Sequence, residues 1–127
     1  MSASDHTRLV AIRGATTVEA DDALLIEAAV RELLAEIVQA NAIAQEDVLS
    51  AIFSATPDLH ALYPAAAARA WGWEDAPMLC VAEMSVAGAP VRCIRLLLHV
   101  ALKHGRPVRH VYQRDARSLR PDWSGPT

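Results

Sequence analysis

Three arginines stand where arginine is awkward. Arg13 closes the apolar run Thr7–Arg13 (TRLVAIR), Arg69 sits in an alanine-rich stretch, and Arg95 interrupts the apolar segment Cys93–Leu102. One acid, Glu83, is placed in the same way, shortly after Cys80. Burying an isolated charge costs on the order of several kcal/mol, so each of these groups must reach water, find a partner or face a ligand. The bland outcome is an edge arginine with its stem on apolar surface and its head in solvent, or an Arg–Glu pair tying two strands together. The other outcome is a set converging on an anion. Arginine suits a carboxylate because its planar fork stays charged and binds in a bidentate manner. Any one of the three reads as structural; three in one small acidic chain point towards an anion site.

Other chemistries find no support in the spacing. There is no GxGxxG or GxxxxGK[ST] phosphate loop. The five histidines include no HExxH, and no His/Cys/Asp cluster has metal-ligand spacing, so neither metal nor cofactor is expected. Ser54, Asp58 and His60 are close in sequence but lack the GxSxG elbow. A net charge of −3 without a Lys/Arg block speaks against nucleic acid as a partner. No apolar stretch reaches the roughly 18 residues of a membrane span, and no signal peptide is visible. Cys80 and Cys93 form no CxxC pair, so two free thiols in a reducing cytoplasm are expected.

The elements that must position the charged groups follow from periodicity. At 127 residues, 53% hydrophobic and 21% charged, the chain fits one domain with a packed core. Thr7–Arg13 reads as a strand ended by Gly14. Asp21 and Asp22 are N-cap candidates for an amphipathic helix to about Asn41, with Ile26, Val30, Leu33, Leu34 and Ile37 on one face. Val48–Thr56 is a strand stopped by Pro57. Pro64–Trp71 is a short helix between Pro64 and Gly72. Met78–Glu83 is a strand. Val91–Leu102 could be strand or helix, but its strict alternation favours strand, with Arg95 on the face opposite Ile94, Leu96 and Leu98. Val108–Tyr112 is a last strand, followed by a short turn or helix near Ala116–Leu119. The expectation is one α/β (α+β) domain over 1–127, a mixed five-stranded sheet packed with one long and one short helix. Residues 1–6 and 121–127 are expected to be loose.

At this point the motifs matter as a set. Arg13–Val18 (RGATTV), Ser54–Ala61 (SATPDLHA), Pro64–Arg69, Cys80–Met84 (CVAEM), Cys93–Arg95 (CIR), Arg109–Tyr112 (RHVY) and Leu119–Asp122 (LRPD) follow in order. Together, from about Arg8 to Asp122, they resemble the small trimeric α/β chorismate mutases. The resemblance implies a cofactor-free isomerase of aromatic amino acid biosynthesis, converting chorismate to prephenate. It also implies a homotrimer with a barrel-like core and active sites at the subunit interfaces. Arg13 falls at the family's substrate-binding arginine, and Arg95 at the arginine facing the ether oxygen of the breaking bond. Glu83 and Cys80 match residues near the ring hydroxyl, and Tyr112 a tyrosine that contacts a carboxylate. Tyr63 and Arg69 match positions lining the site, the aromatic one from the neighbouring subunit. Leu119 and Arg120 match a C-terminal stretch that closes over the pocket.

Each of these residues also has a plain reading. Cys80 is otherwise a small buried hydrophobe, Tyr112 a core cap with its hydroxyl at the surface, and Tyr63 a lone surface aromatic. Ala66 stands where a basic side chain is common in the family, Leu79 where a small polar residue is usual, and Tyr63 where phenylalanine is common. These departures bear on substrate affinity more than on reaction type. The competing class is a non-catalytic trimeric module that senses an aromatic-pathway dicarboxylate; it would not need Arg95 and Glu83 together.

Overall fold

A computed structural model describes residues 7–122. The expectations for the N-terminal extension and for the tail beyond Asp122 fall outside that range. Five strands form one mixed sheet: β1 (Arg8–Thr17), β2 (Val48–Ala55), β3 (Met78–Ala82), β4 (Cys93–Leu102) and β5 (Val111–Tyr112). Their order across the sheet is β3-β2-β4-β1-β5. β4 runs antiparallel to both neighbours, while β3 and β5 pair parallel to β2 and β1 at the two edges. The helices are α1 (Ala23–Asn41) and α2 (Pro64–Trp71), with 3₁₀ turns at Gln45–Asp47, ahead of β2, and at Arg114–Leu119, after β5.

Both helices lie on one face of the sheet. Ile26, Val30, Leu33, Leu34 and Ile37 of α1 are fully buried against Ile12, Phe53, Ile94 and Leu98. Ala65, Ala67 and Ala68 bring α2 close to the same core. The ends are capped as their residues dictate. The Asp22 carboxylate accepts the Leu25 N–H at 3.0 Å. Pro64 opens α2 and Gly72 closes it at φ 130°. Among the described residues, no helix is long and apolar enough to cross a membrane.

The structure adjusts three boundaries. β1 does not stop at Gly14 but runs on to Thr17. Gly14 is a packing residue rather than a stop: a Cβ there would lie 2.8 Å from Ile37 Cδ1, so α1 can rest on β1 only above a bare backbone. β4 begins at Cys93 because Arg92 is in the left-handed region at φ 47°. The last strand shrinks to two residues. Pro107 has no N–H, and the Arg109 backbone is bound by Asn41 instead of a strand.

Candidate active site

The alternation along β4 decides where the site lies. Ile94, Leu96 and Leu98 face the helices, so Arg95 must face the other way. There it is opposite Ser54 on β2 and Ala15 on β1, and Ala15 is in turn opposite Tyr112 on β5. One row across the helix-free face therefore reads Ser54, Arg95, Ala15, Tyr112. From Arg95 to Tyr112 is two strand spacings, about 10 Å.

Glu83, just past β3, turns its carboxylate onto this row. Its Oε1 accepts from Ser54 Oγ at 2.6 Å and lies 3.3 Å from Arg95 Nε. Arg95 Nε is a buried donor that is not aligned for a hydrogen bond with that oxygen. Arg13 lies on the same face, its Cζ 6.0 Å from the centre of the Tyr112 ring. The 3₁₀ turn Arg114–Leu119 closes over this end of the sheet. Leu119 packs on a small cluster of Ala15, Cys93, Tyr112 and Ala116. Arg120 follows directly, held by Asp122 through contacts of 3.1 and 2.7 Å.

The electrostatics of the row are consistent with a neutral donor among cations. Burial pushes the Tyr112 phenol above its ordinary value, and Arg13, Arg95 and Arg120 pull it partly back. The phenol therefore stays protonated at neutral pH, able to donate to an anion. Burial likewise pushes the Cys93 thiol up against the pull of Arg95, which leaves Cys93 a neutral packing residue.

The remaining candidates fall elsewhere. Cys80 pairs with Phe53, so its thiol turns to the helix side, where it accepts the Ala65 N–H at 3.4 Å. Cys80 and Tyr63 line a separate cleft with Pro57, Leu62 and Val81. Tyr63 is 72% exposed, and Arg69 is exposed in the last turn of α2. Thus one chain gathers Arg13, Glu83, Arg95, Tyr112, Leu119 and Arg120, and holds Tyr63, Cys80 and Arg69 apart from them.

Ser54, Asp58 and His60 form no triad. Ser54 serves Glu83, Asp58 accepts the Arg92 N–H at 2.9 Å, and the His60 backbone N–H goes to Asp21. Among the described residues, no cluster of three or more His, Cys, Asp or Glu is arranged to hold a metal. Ser54 as the support of Glu83 is a role that no local motif announces, because the two are 29 positions apart.

Comparison with known proteins covers this whole arrangement. The family model described as chorismate mutase type I matches residues 9–123. The chorismate mutase AroH of Bacillus subtilis (strain 168) is 44% identical over 115 residues, covering 89% of this chain and 91% of that protein. The chorismate mutase AroH of Thermus thermophilus is also 44% identical, over 114 residues, 87% of this chain and 93% of that one. The solved structure of a chorismate mutase from Clostridium thermocellum superposes with a TM-score of 0.81 at 39% identity, covering 87% of this chain and 99% of that chain. A match that spans every strand, both helices and the arginine row places this chain in the type I chorismate mutase family.

Proposed function

We propose that this chain converts chorismate to prephenate without a cofactor, as a homotrimer whose active sites lie between subunits. The rearrangement is an intramolecular sigmatropic shift, so it transfers no proton and needs no nucleophile. Two tasks remain. One is to hold the compact chair of the substrate, which is a positioning task. The other is to stabilise the negative charge that grows on the ether oxygen as the C–O bond breaks ahead of C–C bond formation. A fixed cation at that oxygen binds the transition state more tightly than the ground state.

Arg95 is that cation. Glu83, with Ser54 behind it, fixes the guanidinium and takes the ring hydroxyl. Arg13 and Tyr112 hold a substrate carboxylate, the first as a charged fork and the second as a neutral donor. Leu119 and Arg120 close the pocket from the C-terminal turn. Tyr63, Cys80 and Arg69 complete it from the neighbouring subunit. This last assignment is supported by their separation from the arginine row within one chain, and by Leu79 and Val81 lying 64% and 47% exposed on the helix-free face. Both cysteines are free thiols, which fits action in the cytoplasm.

The observation that carries the reading is Arg95 itself, a half-buried arginine held by Glu83 with an N–H donor not aligned to its partner. The test is chorismate consumption followed by absorbance, with prephenate identified as product and Arg95→Ala measured beside the parent. Turnover by the parent, lowered by at least about 10²–10³ in a folded Arg95→Ala protein, is the expected result. A folded parent that leaves chorismate unchanged would overturn the proposal.

A further inference from the structure

We propose that His110 is a positioning residue for Arg13: its ring stands in for the strand that β5 is too short to supply, and Asn41 holds it there. This rests on the reading of Arg13 as a substrate-binding group.

β1 needs a partner on its β5 side, but parallel pairing begins only at Gly14 with Val111. One residue earlier the Arg13 N–H points past the end of β5. It donates to His110 Nδ1 at 2.9 Å. The imidazole thus takes the place of a strand carbonyl, at the residue whose side chain lies over Tyr112. Since Nδ1 accepts, the ring must be neutral with its proton on Nε2.

The preceding residue is fixed with equal care. Asn41, buried at the end of α1, accepts the Arg109 N–H at 2.8 Å and donates to the Arg109 carbonyl at 2.9 Å. One side chain thereby satisfies both backbone groups of Arg109, as a neighbouring strand would. Asn41 also donates to the Ile37 carbonyl at 3.0 Å, which ties it to its own helix. The chain of contacts runs from α1 through Asn41, Arg109 and His110 to the backbone of Arg13.

The surroundings keep the ring in its accepting form. Burial, followed by the charges of Arg13 on β1 and Arg120 beyond the C-terminal turn, pushes His110 below the ordinary histidine value. Glu36 of α1 and the neighbouring Arg109 line the same cleft. Above a pH of about 6.5 the ring is neutral and the contact is intact. As pH falls into the lowered range the ring gains a proton, releases the Arg13 N–H and adds a positive charge beside two arginines. Substrate affinity then falls on the acid side.

The experiment uses the assembled full-length protein with chorismate. His110→Ala lowers kcat/KM about tenfold, mostly through KM, because a ground-state contact of Arg13 is loosened. His110→Asn, whose Oδ1 can accept the same N–H, stays within about threefold of the parent and loses the acid limb of the kcat/KM profile. In an Arg13→Ala background, removal of His110 has no further effect. Equal losses in the Ala and Asn variants would overturn the proposal, as would an undiminished loss in the Arg13→Ala background. Imidazole ¹⁵N resonances supply a readout independent of turnover. An unprotonated Nδ1 at neutral pH supports the contact, and a protonated Nδ1 overturns it even if the parent fails to turn over chorismate.

Discussion

The two faces of this sheet are made by the same strands and have opposite fates. On β4, Ile94, Leu96, Leu98, Val100 and Leu102 are each at most 2% exposed, sealed by the two helices. Arg95, Leu97, His99 and Ala101, alternating with them, are only half-buried. The first face is finished by the chain's own helices. The second carries the arginine row, the Ser50 to His99 hydrogen bond at 3.1 Å, and exposed Leu79 and Val81. In a chain this small, an unfinished apolar face is the surface that the proposed homotrimer would bury. Stability therefore resides mainly on one face, and the proposed chemistry on the other.

Substitutions should separate the two. Phe53→Ala empties a fully buried site on the helix-covered face. It should cost about 3–5 kcal/mol in denaturant unfolding at fixed protein concentration. On the open face, Val81→Asp should leave helix content unchanged yet weaken association by about 2–4 kcal/mol. Sedimentation should then show a smaller species than the parent at the same concentration. Gly14→Ala forces a methyl against Ile37 Cδ1, 2.8 Å away. That should cost about 1–3 kcal/mol, and Ile37→Val, which removes the offending carbon, should recover much of it.

The smallest effect lies in the Tyr112 phenol. Its pKa is raised in the fold, so the neutral form is favoured there. The associated stability is fully present below the ordinary tyrosine value of about 10 and is lost as pH rises through the higher folded value. Phenolate absorbance should show Tyr112 titrating above the ordinary tyrosine value, and Arg13→Ala should move it further up by removing the first of the cations that pull it down.

Much of this was legible in the residues. The spacing of Ile26 to Ile37 fixes α1, the alternation in Cys93–Leu102 fixes β4, and Pro64 with Gly72 brackets α2. The alternation also foretold that Arg95 would face away from the helices. What escaped were contacts between distant parts of the chain. Gly14 looked like a terminator because glycine usually is one; only the close approach of α1 reveals the need for a bare Cα. Val108–Tyr112 had strand-like residues, but its pairing groups went to Asn41 and to Arg13, 97 positions from His110. Ser54 was visible within a motif, but its service to Glu83 depends on β2 and β3 lying side by side.

The measurement that tests the two-half site most directly is complementation. Arg95→Ala removes the cation of the arginine row, and Arg69→Glu reverses a charge in the half that the proposal draws from the neighbouring subunit. Each variant alone should be nearly inactive. When equal amounts are unfolded together and reassembled, a site is intact only if one subunit supplies a good row and its neighbour a good cleft. The chance is one half times one half, so activity should return to about a quarter of the parent's. A reassembled mixture no more active than its components, while the parent recovers fully, would contradict a site shared between subunits.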